Sequence, residues 1–319
     1  MERVYNQVKR IIDNVNFDKI YKGFVKKKIV LKINGIAYCN DKSILNNQIS
    51  NNDYVTYEIS SKEISIKDIV IELIVKMFEL QFDVNPCNQE RLKFLLMKKN
   101  SEFYELKYQL NLVMVNILKG NTELTSSYLA ILNEIKKEES IYLLEEQIEK
   151  NIGLKKYIKL KVLEMFKPDD YHFKLRFLID TLEDPTKLVN YINYAEDFSV
   201  AYLLVNSQIK EASVNQCLVS IEKPLFSFSK LMLQKDKQTK KLLMHKMINA
   251  KKSYLKGKVI DIDFNNVYAC DNLLYLPNEI TILYNNKKVV KKGEFLLQLN
   301  ESLEIIEGYE CFSIEKILV

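Results

Sequence analysis

The charged positions between Asp68 and Asp83 form a stripe. In DIVIELIVKMFELQFD, Glu72, Lys76, Glu79 and Asp83 follow one another at spacings of four, three and four residues. On a 3.6-residue helix that spacing puts them on one face, with Ile71, Ile74, Val75, Phe78 and Phe82 on the remaining surface. The pattern predicts a helix that buries its apolar surface and turns its charged stripe to solvent or to a cleft. Ahead of it, MERVYNQVKRIIDNVNFDKIY reads as an amphipathic helix, while KKIVLKI and YVTYEI read as short strands among turn-rich pieces such as NNQISNND. A small sheet therefore follows the first helix.

From Ser61 to about Lys256 the period is helical, through SKEISIKDIVIELIVKMFELQF, NQERLKFLLMKKNSEFYELKYQLNLVMVNILKG and TELTSSYLAILNEIKKEESIYLLEEQIEKNIGLKKYIKLKVLEMF. Ser61 is the expected cap of the first of these helices, Pro168 the expected stop of the last, and shorter helices follow, broken at Pro185. After Gly257 the period becomes two in VIDIDF, EITILY, KVVKKGEFLLQL and CFSIEKILV, and Asn285-Asn286 falls where a tight hairpin turn belongs. No internal repeat or low-complexity tract is visible. The fold class expected is α+β, mainly helical, with a small N-terminal sheet and a C-terminal antiparallel β domain. The expected divisions are 1–60, 61–255 and 256–319.

Composition narrows this picture. The 319 residues are 47% hydrophobic and 28% charged, ordinary for a globular chain that can bury a sizeable core. Seven Gly and five Pro are too few for a turn-dense all-β fold, and neither a GxGxxG nor a Walker pattern occurs. The five cysteines, Cys39, Cys87, Cys217, Cys270 and Cys311, are scattered and never in CxxC spacing, which argues against a disulfide framework and a thiolate zinc site. No apolar run approaches the roughly 18 residues of a membrane span, and the N-terminal segment does not read as a signal peptide. A soluble, cytoplasmic protein with no membrane partner is expected.

The net charge of +5 is uneven: Lys230 to Lys258 holds ten lysines against Asp236. One reading is a surface for an anionic partner such as nucleic acid, a membrane surface or an acidic peptide; the other is a solvated helix in a Lys-, Asn- and Ile-rich chain. The second is favoured. Arg3, Arg10, Arg91 and Arg176 are the only arginines, and none lies in the block, whereas readers of bases and phosphates usually employ arginine forks.

Candidate chemistry is sparse. His172 and His245 are far apart, without a partner at i+3 or i+4, and neither has a companion motif such as GxSxG. Both read as structural or exposed. Glu145, Glu146 and Glu149 have a spacing that glycoside chemistry could use, but carboxylates at helical spacing beside lysines read as a solvated face.

A resemblance gives the stripe helix a second meaning. IVKMFELQF, with Met77-Phe78, resembles the active-site helix of gluzincin-type zinc metallopeptidases, in which a sequence like HEMFHAFQ is expected. SYLAILNEIKKEESIYLLEEQIEKNIGLKKYIKLKVL is similar to their second motif helix, with its acid-Gly-x-x-x-Tyr core; Ile152, Gly153 and Tyr157 stand in that frame. SEFYELKYQLNLVMVNIL looks like the helix between the two motifs, and KGKVIDIDFNNVYACDNLLYL like the β tail of uncharacterised clostridial, hence bacterial, members. The resemblance implies a gluzincin-like metallopeptidase core within the α+β fold.

It also implies that the chemistry has gone. Such peptidases hold zinc with the two His of a His-Glu-x-x-His helix and the Glu of the second motif, and the intervening Glu is the base on the metal-bound water. Here Val75 stands at the first His, Lys76 at the base, Glu79 at the second His and Ile152 at the ligand Glu. One carboxylate cannot hold a catalytic zinc, and an ammonium at the base position repels the cation. Two positions have become aliphatic, and Lys76 lies between Glu72 at i−4 and Glu79 at i+3, so packing and ion pairing can close the former site. No metal, no cofactor and no catalytic residue are expected. Gly153 and Tyr157 also have a plain reading, a glycine that permits close helix packing at about 1 kcal/mol relative to alanine.

What the resemblance leaves is peptide capture. In that fold an edge strand beside the active-site helix pairs with extended substrate, and NDYVTYEIS, Asn52 to Ser60, precedes the stripe helix. The expected peptide-binding residues are Tyr54, Thr56, Glu58, Lys76, Glu79 and Tyr157. The function expected is a catalytically inactive peptidase-like protein, a pseudoenzyme, that binds a peptide or a protein partner such as an active peptidase relative. The alternative is a basic helical module that binds nucleic acid or another anionic partner through Lys230 to Lys258. An enzyme using other residues of the same cleft is a weaker third reading, for which the sequence offers no constellation.

Overall fold

A computed structural model describes residues 2–33, 35–39, 54–59, 65–83, 86–211, 227–248, 250–264, 266–270 and 272–311. Ahead of the stripe helix come α1 (Glu2–Asp13), α2 (Phe17–Ile20), β1 (Lys28–Ile33), β2 (Ile36–Tyr38) and β3 (Tyr54–Ile59). The stripe helix is α3 (Ile66–Gln81), and the helical run continues as α4 (Asn88–Leu96), α5 (Ser101–Leu118), α6 (Thr125–Ile135), α7 (Glu139–Asn151), α8 (Leu154–Phe166), α9 (Pro168–Glu183), α10 (Pro185–Val189), α11 (Tyr191–Glu211) and α12 (Phe228–Ile248). Then come β4 (Ala250–Ser253), β5 (Lys258–Ile262), β6 (Tyr268–Cys270), β7 (Leu273–Leu276), β8 (Glu279–Tyr284), β9 (Lys287–Lys292), β10 (Glu294–Leu299) and β11 (Ile305–Cys311). The class is α+β and mainly helical. Among the described residues no helix is long and apolar enough to cross a membrane.

The chain divides into two units, residues 1–85 with 152–178, and residues 86–151 with 179–319. In the first, β1 is the centre of a three-stranded sheet ordered β2-β1-β3. It runs antiparallel to β2 and parallel to β3, with Lys28 opposite Tyr54 and Ile33 opposite Ile59. Its centre position explains why Ile29, Val30 and Leu31 are all buried, a continuous run rather than an alternation. NNQISNND and residues 60–64 lie outside the described residues, so Ser61 does too. The cap of α3 is Ser65, whose Oγ accepts the Asp68 N–H at 3.2 Å and donates to Asp68 Oδ2 at 2.6 Å.

An aromatic cluster fixes the other end of α3. Phe78 meets Phe24 and Tyr21 edge to face, at 5.4 and 5.3 Å between ring centres, and Phe82 stacks on Phe78 at 4.6 Å. Gln81 then clamps the loop after α2, accepting the Val25 N–H at 3.1 Å and donating to the Gly23 carbonyl at 2.7 Å. Pro168 does two things at once: α8 ends at Phe166, and Pro168 opens α9, where its missing N–H is not needed. Asp184 and Pro185 open α10 in the same way, with Asp184 accepting the Thr186 N–H at 2.8 Å.

In the second unit α5 packs with α6 and α11, and α7 with α4 and α11. Five antiparallel strands follow the order β4-β11-β10-β7-β6, and three the order β5-β8-β9. The β8–β9 hairpin turns on Asn285 and Asn286, both at positive φ (48° and 58°), the conformation a two-residue turn of this hand requires. Ala250–Ser253 departs from the sequence reading, which kept it in the helical run. Its side chains carry no alternation, and backbone pairing of Ser253 with Gly308 and Lys251 with Glu310 makes it an edge strand instead. Of CFSIEKILV only Cys311 lies within the described residues, at the end of β11.

Candidate functional site

The charged stripe of α3 meets α8. Asp68 accepts Lys167 at 2.6 Å, Glu72 accepts Lys159 at 2.6 Å, and Glu79 pairs with Lys155. As the carboxylates ascend along α3 the lysines descend along the chain from 167 to 155, so the two helices run antiparallel. Hydrogen bonds from Lys167 and then Ser65 hold the Asp68 carboxyl below its ordinary range. The pairs are half exposed, with Glu79 at 37% and Lys155 at 58% of their side-chain surface, so each contributes well under about 1 kcal/mol. They set the helix pair's register more than its stability.

Lys76 does not take either carboxylate of its own helix. Its ammonium lies 5.0 Å from the centre of the Tyr57 ring on β3. Burial, and then the carboxylates of Glu72 and Asp68, raise the Tyr57 hydroxyl above its ordinary range. The ion pairing expected around Lys76 is therefore made between helices, because α8 offers Glu72 and Glu79 lysines that bridge the gap to them.

The positions that the resemblance singles out are divided. Val75 is buried inside α3, and Ile152 is half-buried in the turn before α8, which Gly153 caps. Tyr157 is buried on α8, while Lys76 and Glu79 are exposed. On β3, Val55 is buried and Tyr57 meets Lys76, so the alternation of a strand turns Tyr54, Thr56 and Glu58 to the opposite face of the sheet. Tyr54 and Thr56 are half-buried there, and Glu58 is exposed. The structure thus brings Lys76 to β3 through Tyr57, a residue the sequence reading passed over although its alternation with Val55 marks the helix-facing side. Among the described residues β3 is an edge strand, with β1 on one side only. No group of three His, Cys, Asp or Glu side chains comes together as a metal site among them.

In the second unit one expectation is overturned. Glu145 and Glu149 are not on a solvated face: they are 2% and 4% exposed, and Lys107, itself 1% exposed, reaches from α5 to lie 3.1 Å from each. Only Glu146 stays near the surface, paired with Lys150 at 2.9 Å. The reason is long-range: a cation on another helix makes burial of two carboxylates tolerable. His172 and His245 are exposed.

The basic block is also less uniform than its composition. Lys235 donates to the Val189 carbonyl at 2.6 Å, Lys246 to Glu294 at 2.6 Å and Lys252 to Glu307 at 3.4 Å. Those contacts tie part of the charge to the fold itself, which weakens it as a surface for nucleic acid. In comparison with known proteins, no family model, no curated protein and no solved structure matches this chain.

Proposed function

We propose that this chain is a catalytically inactive protein of gluzincin-like frame that captures an extended peptide, or a segment of a partner protein, along the β3 edge beside α3. The observation that carries this reading is the place of β3: among the described residues an edge strand of the sheet, tied to the stripe helix by the contact of Tyr57 with Lys76. An edge strand offers a row of backbone N–H and C=O groups, each hydrogen bond of which adds about 0.5–1.5 kcal/mol, and that pairing needs no metal. Tyr54, Thr56 and Glu58 would then meet side chains on one face of the added strand, and Lys76, Glu79 and Tyr157 belong to the helix pair on the other side. The four positions of zinc chemistry hold Val75, Lys76, Glu79 and Ile152, and the one carboxylate among them is engaged by Lys155. An active peptidase relative in the same cytoplasm is the partner this reading prefers.

Two measurements test it. Panning a library of extended peptides against the purified chain is expected to yield binders that protect residues 54–59 from hydrogen exchange. Protection confined to other strands defeats the reading. Elemental analysis paired with a peptidase assay is the second measurement, and stoichiometric zinc that supports cleavage defeats it outright.

A further inference from the structure

The second unit contains a cavity of about 400 Å³, within the range of small-molecule sites. Its wall is made by the end of α4 with the loop after it, the start of α11, the middle of α12 and the β6 region. Lys98, Lys99, Lys235 and Lys240 lie on that wall, against Asp236 as its acidic side chain. Phe94 and Tyr191 add an aromatic side, 4.9 Å apart between ring centres.

Two of the lysines are held from opposite elements. Lys99 folds back on the C-terminus of α4, where its ammonium donates to the carbonyls of Phe94 and of Met97, the latter at 3.0 Å, and lies 4.0 Å from the Phe94 ring centre. That contact by itself has a structural purpose, satisfying the last carbonyls of a helix. Lys235 does the same for another helix: it reaches from α12 to the carbonyl of Val189, the last residue of α10. The two ammonium groups are near enough to repel each other, and burial followed by that repulsion pushes Lys99 down to about 7, with Glu145 of α7 opposing. Burial also lowers Lys235, against the nearby carboxylate of Asp236. Two partly desolvated cations that hydrogen-bond to backbone carbonyls, with Glu145 and Asp236 acting on them only at a distance, make a site that a further negative charge would stabilise.

We propose that this cavity binds a small organic anion, its carboxylate or phosphate held between Lys99 and Lys235 and its carbon skeleton against Phe94, Met232 and Val267. The inference is independent of peptide capture at β3. Its pH behaviour follows from the groups that face the two cations, Glu145 from α7, Asp236 and Lys240 from α12, and Lys98 from the loop after α4. An anion favours the charged form of Lys99, so binding takes up a proton at pH 7.5, and affinity falls as pH rises from 6.5 to 8.5.

Isothermal titration of the full chain tests this with benzoate, phenyl phosphate, inorganic phosphate and the neutral benzamide. At least one aromatic anion is expected to bind, at least tenfold more tightly than benzamide, and the better of the two identifies the head group. Lys99→Met and Lys235→Met are each expected to weaken binding tenfold or more, and Lys235→Arg to retain it. Each Met variant also gives up a bond to a helix-end carbonyl, so its melting curve is expected to fall modestly while the folded chain persists, and the titration is run below that transition. The titration in buffers of different ionisation enthalpy reads the proton uptake without any variant. Absence of binding by both aromatic anions, equal binding of benzamide, affinity unchanged in either Met variant, or inorganic phosphate binding as tightly as the better aromatic anion overturns the assignment.

Discussion

Lys107→Met is the sharpest perturbation of this fold. The ammonium of Lys107 serves Glu145 Oε2 and Glu149 Oε1, each at 3.1 Å, and no side chain of the three is more than 5% exposed. One cation shared by two buried anions leaves an excess negative charge, and burial answers by lifting both carboxyls against the pull of Lys107, Glu149 to about 7. Burial pulls Lys107 down, but the two carboxylates more than reverse this and keep it charged. With a folded value of about 7 and an unfolded value near 4.5, Glu149 binds more protons in the folded chain between those limits. Its contribution to stability therefore falls as pH rises from 4.5 to 7 and stays low above that. Methionine preserves the bulk of the lysine stem and removes the charge. At pH 8 both carboxylates lose their partner, and the expected loss is about 3–5 kcal/mol. At pH 5 both can protonate, and the loss is expected to shrink to about 1–2 kcal/mol, that of hydrogen bonds to a missing group. Urea unfolding followed by circular dichroism reads the loss, and hydrogen exchange of α5 and α7 peptides localises it. A loss below about 1 kcal/mol at pH 8, or an equal loss at both pH values, refutes the argument.

Three further substitutions probe other links. In Gly257→Ala the new methyl would stand 2.5 Å from the Leu283 carbonyl oxygen at a φ of +116°, so a loss of about 2–4 kcal/mol is expected; a thermal melt that does not move contradicts this. Ser65→Ala removes the cap of α3 and is expected to cost about 1 kcal/mol, seen as faster hydrogen exchange in its first turn and nowhere else in the helix. Glu72→Ala with Glu79→Ala breaks two half-exposed ion pairs, and a combined loss under about 2 kcal/mol that disappears in 1 M NaCl is expected. A larger, salt-independent loss would mean that the stripe is buried.

What was legible in the sequence was local. The stripe of α3, the break at Pro168, the Asn285-Asn286 turn and the strands in VIDIDF and EITILY all depend on residues a few positions apart, and each is where the pattern puts it. What was not legible depends on residues far apart. Glu149 reads as a surface residue until Lys107, 42 positions away, is placed against it, and the partners of Asp68 and Glu72 lie 99 and 87 positions downstream. β4 belongs to the same group: its side chains give no signal, and its strand exists because β11 has an edge to offer. At the candidate site the alternation of Val55 with Tyr57 was readable, but that this side meets Lys76 of α3 was not, because the parity of a strand does not say which helix covers it.

The charge order along α3 accounts for the direction in which Lys76 points. Asp68, Glu72 and Glu79 are already paired, with Lys167 just past the end of α8 and with Lys159 and Lys155 on it, so the carboxylates on that side of α3 are taken. A further cation gains little there, and the Lys76 ammonium lies over the Tyr57 ring on β3 instead. Lys76 is thus directed to β3 by the same ladder that aligns the two helices. Glutamate at that position would be drawn the opposite way, toward Lys155 and Lys159, and the contact with the Tyr57 ring would be lost. In the gluzincin-like frame proposed above Lys76 stands at the general-base position, and in this chain it meets the strand proposed to hold a peptide.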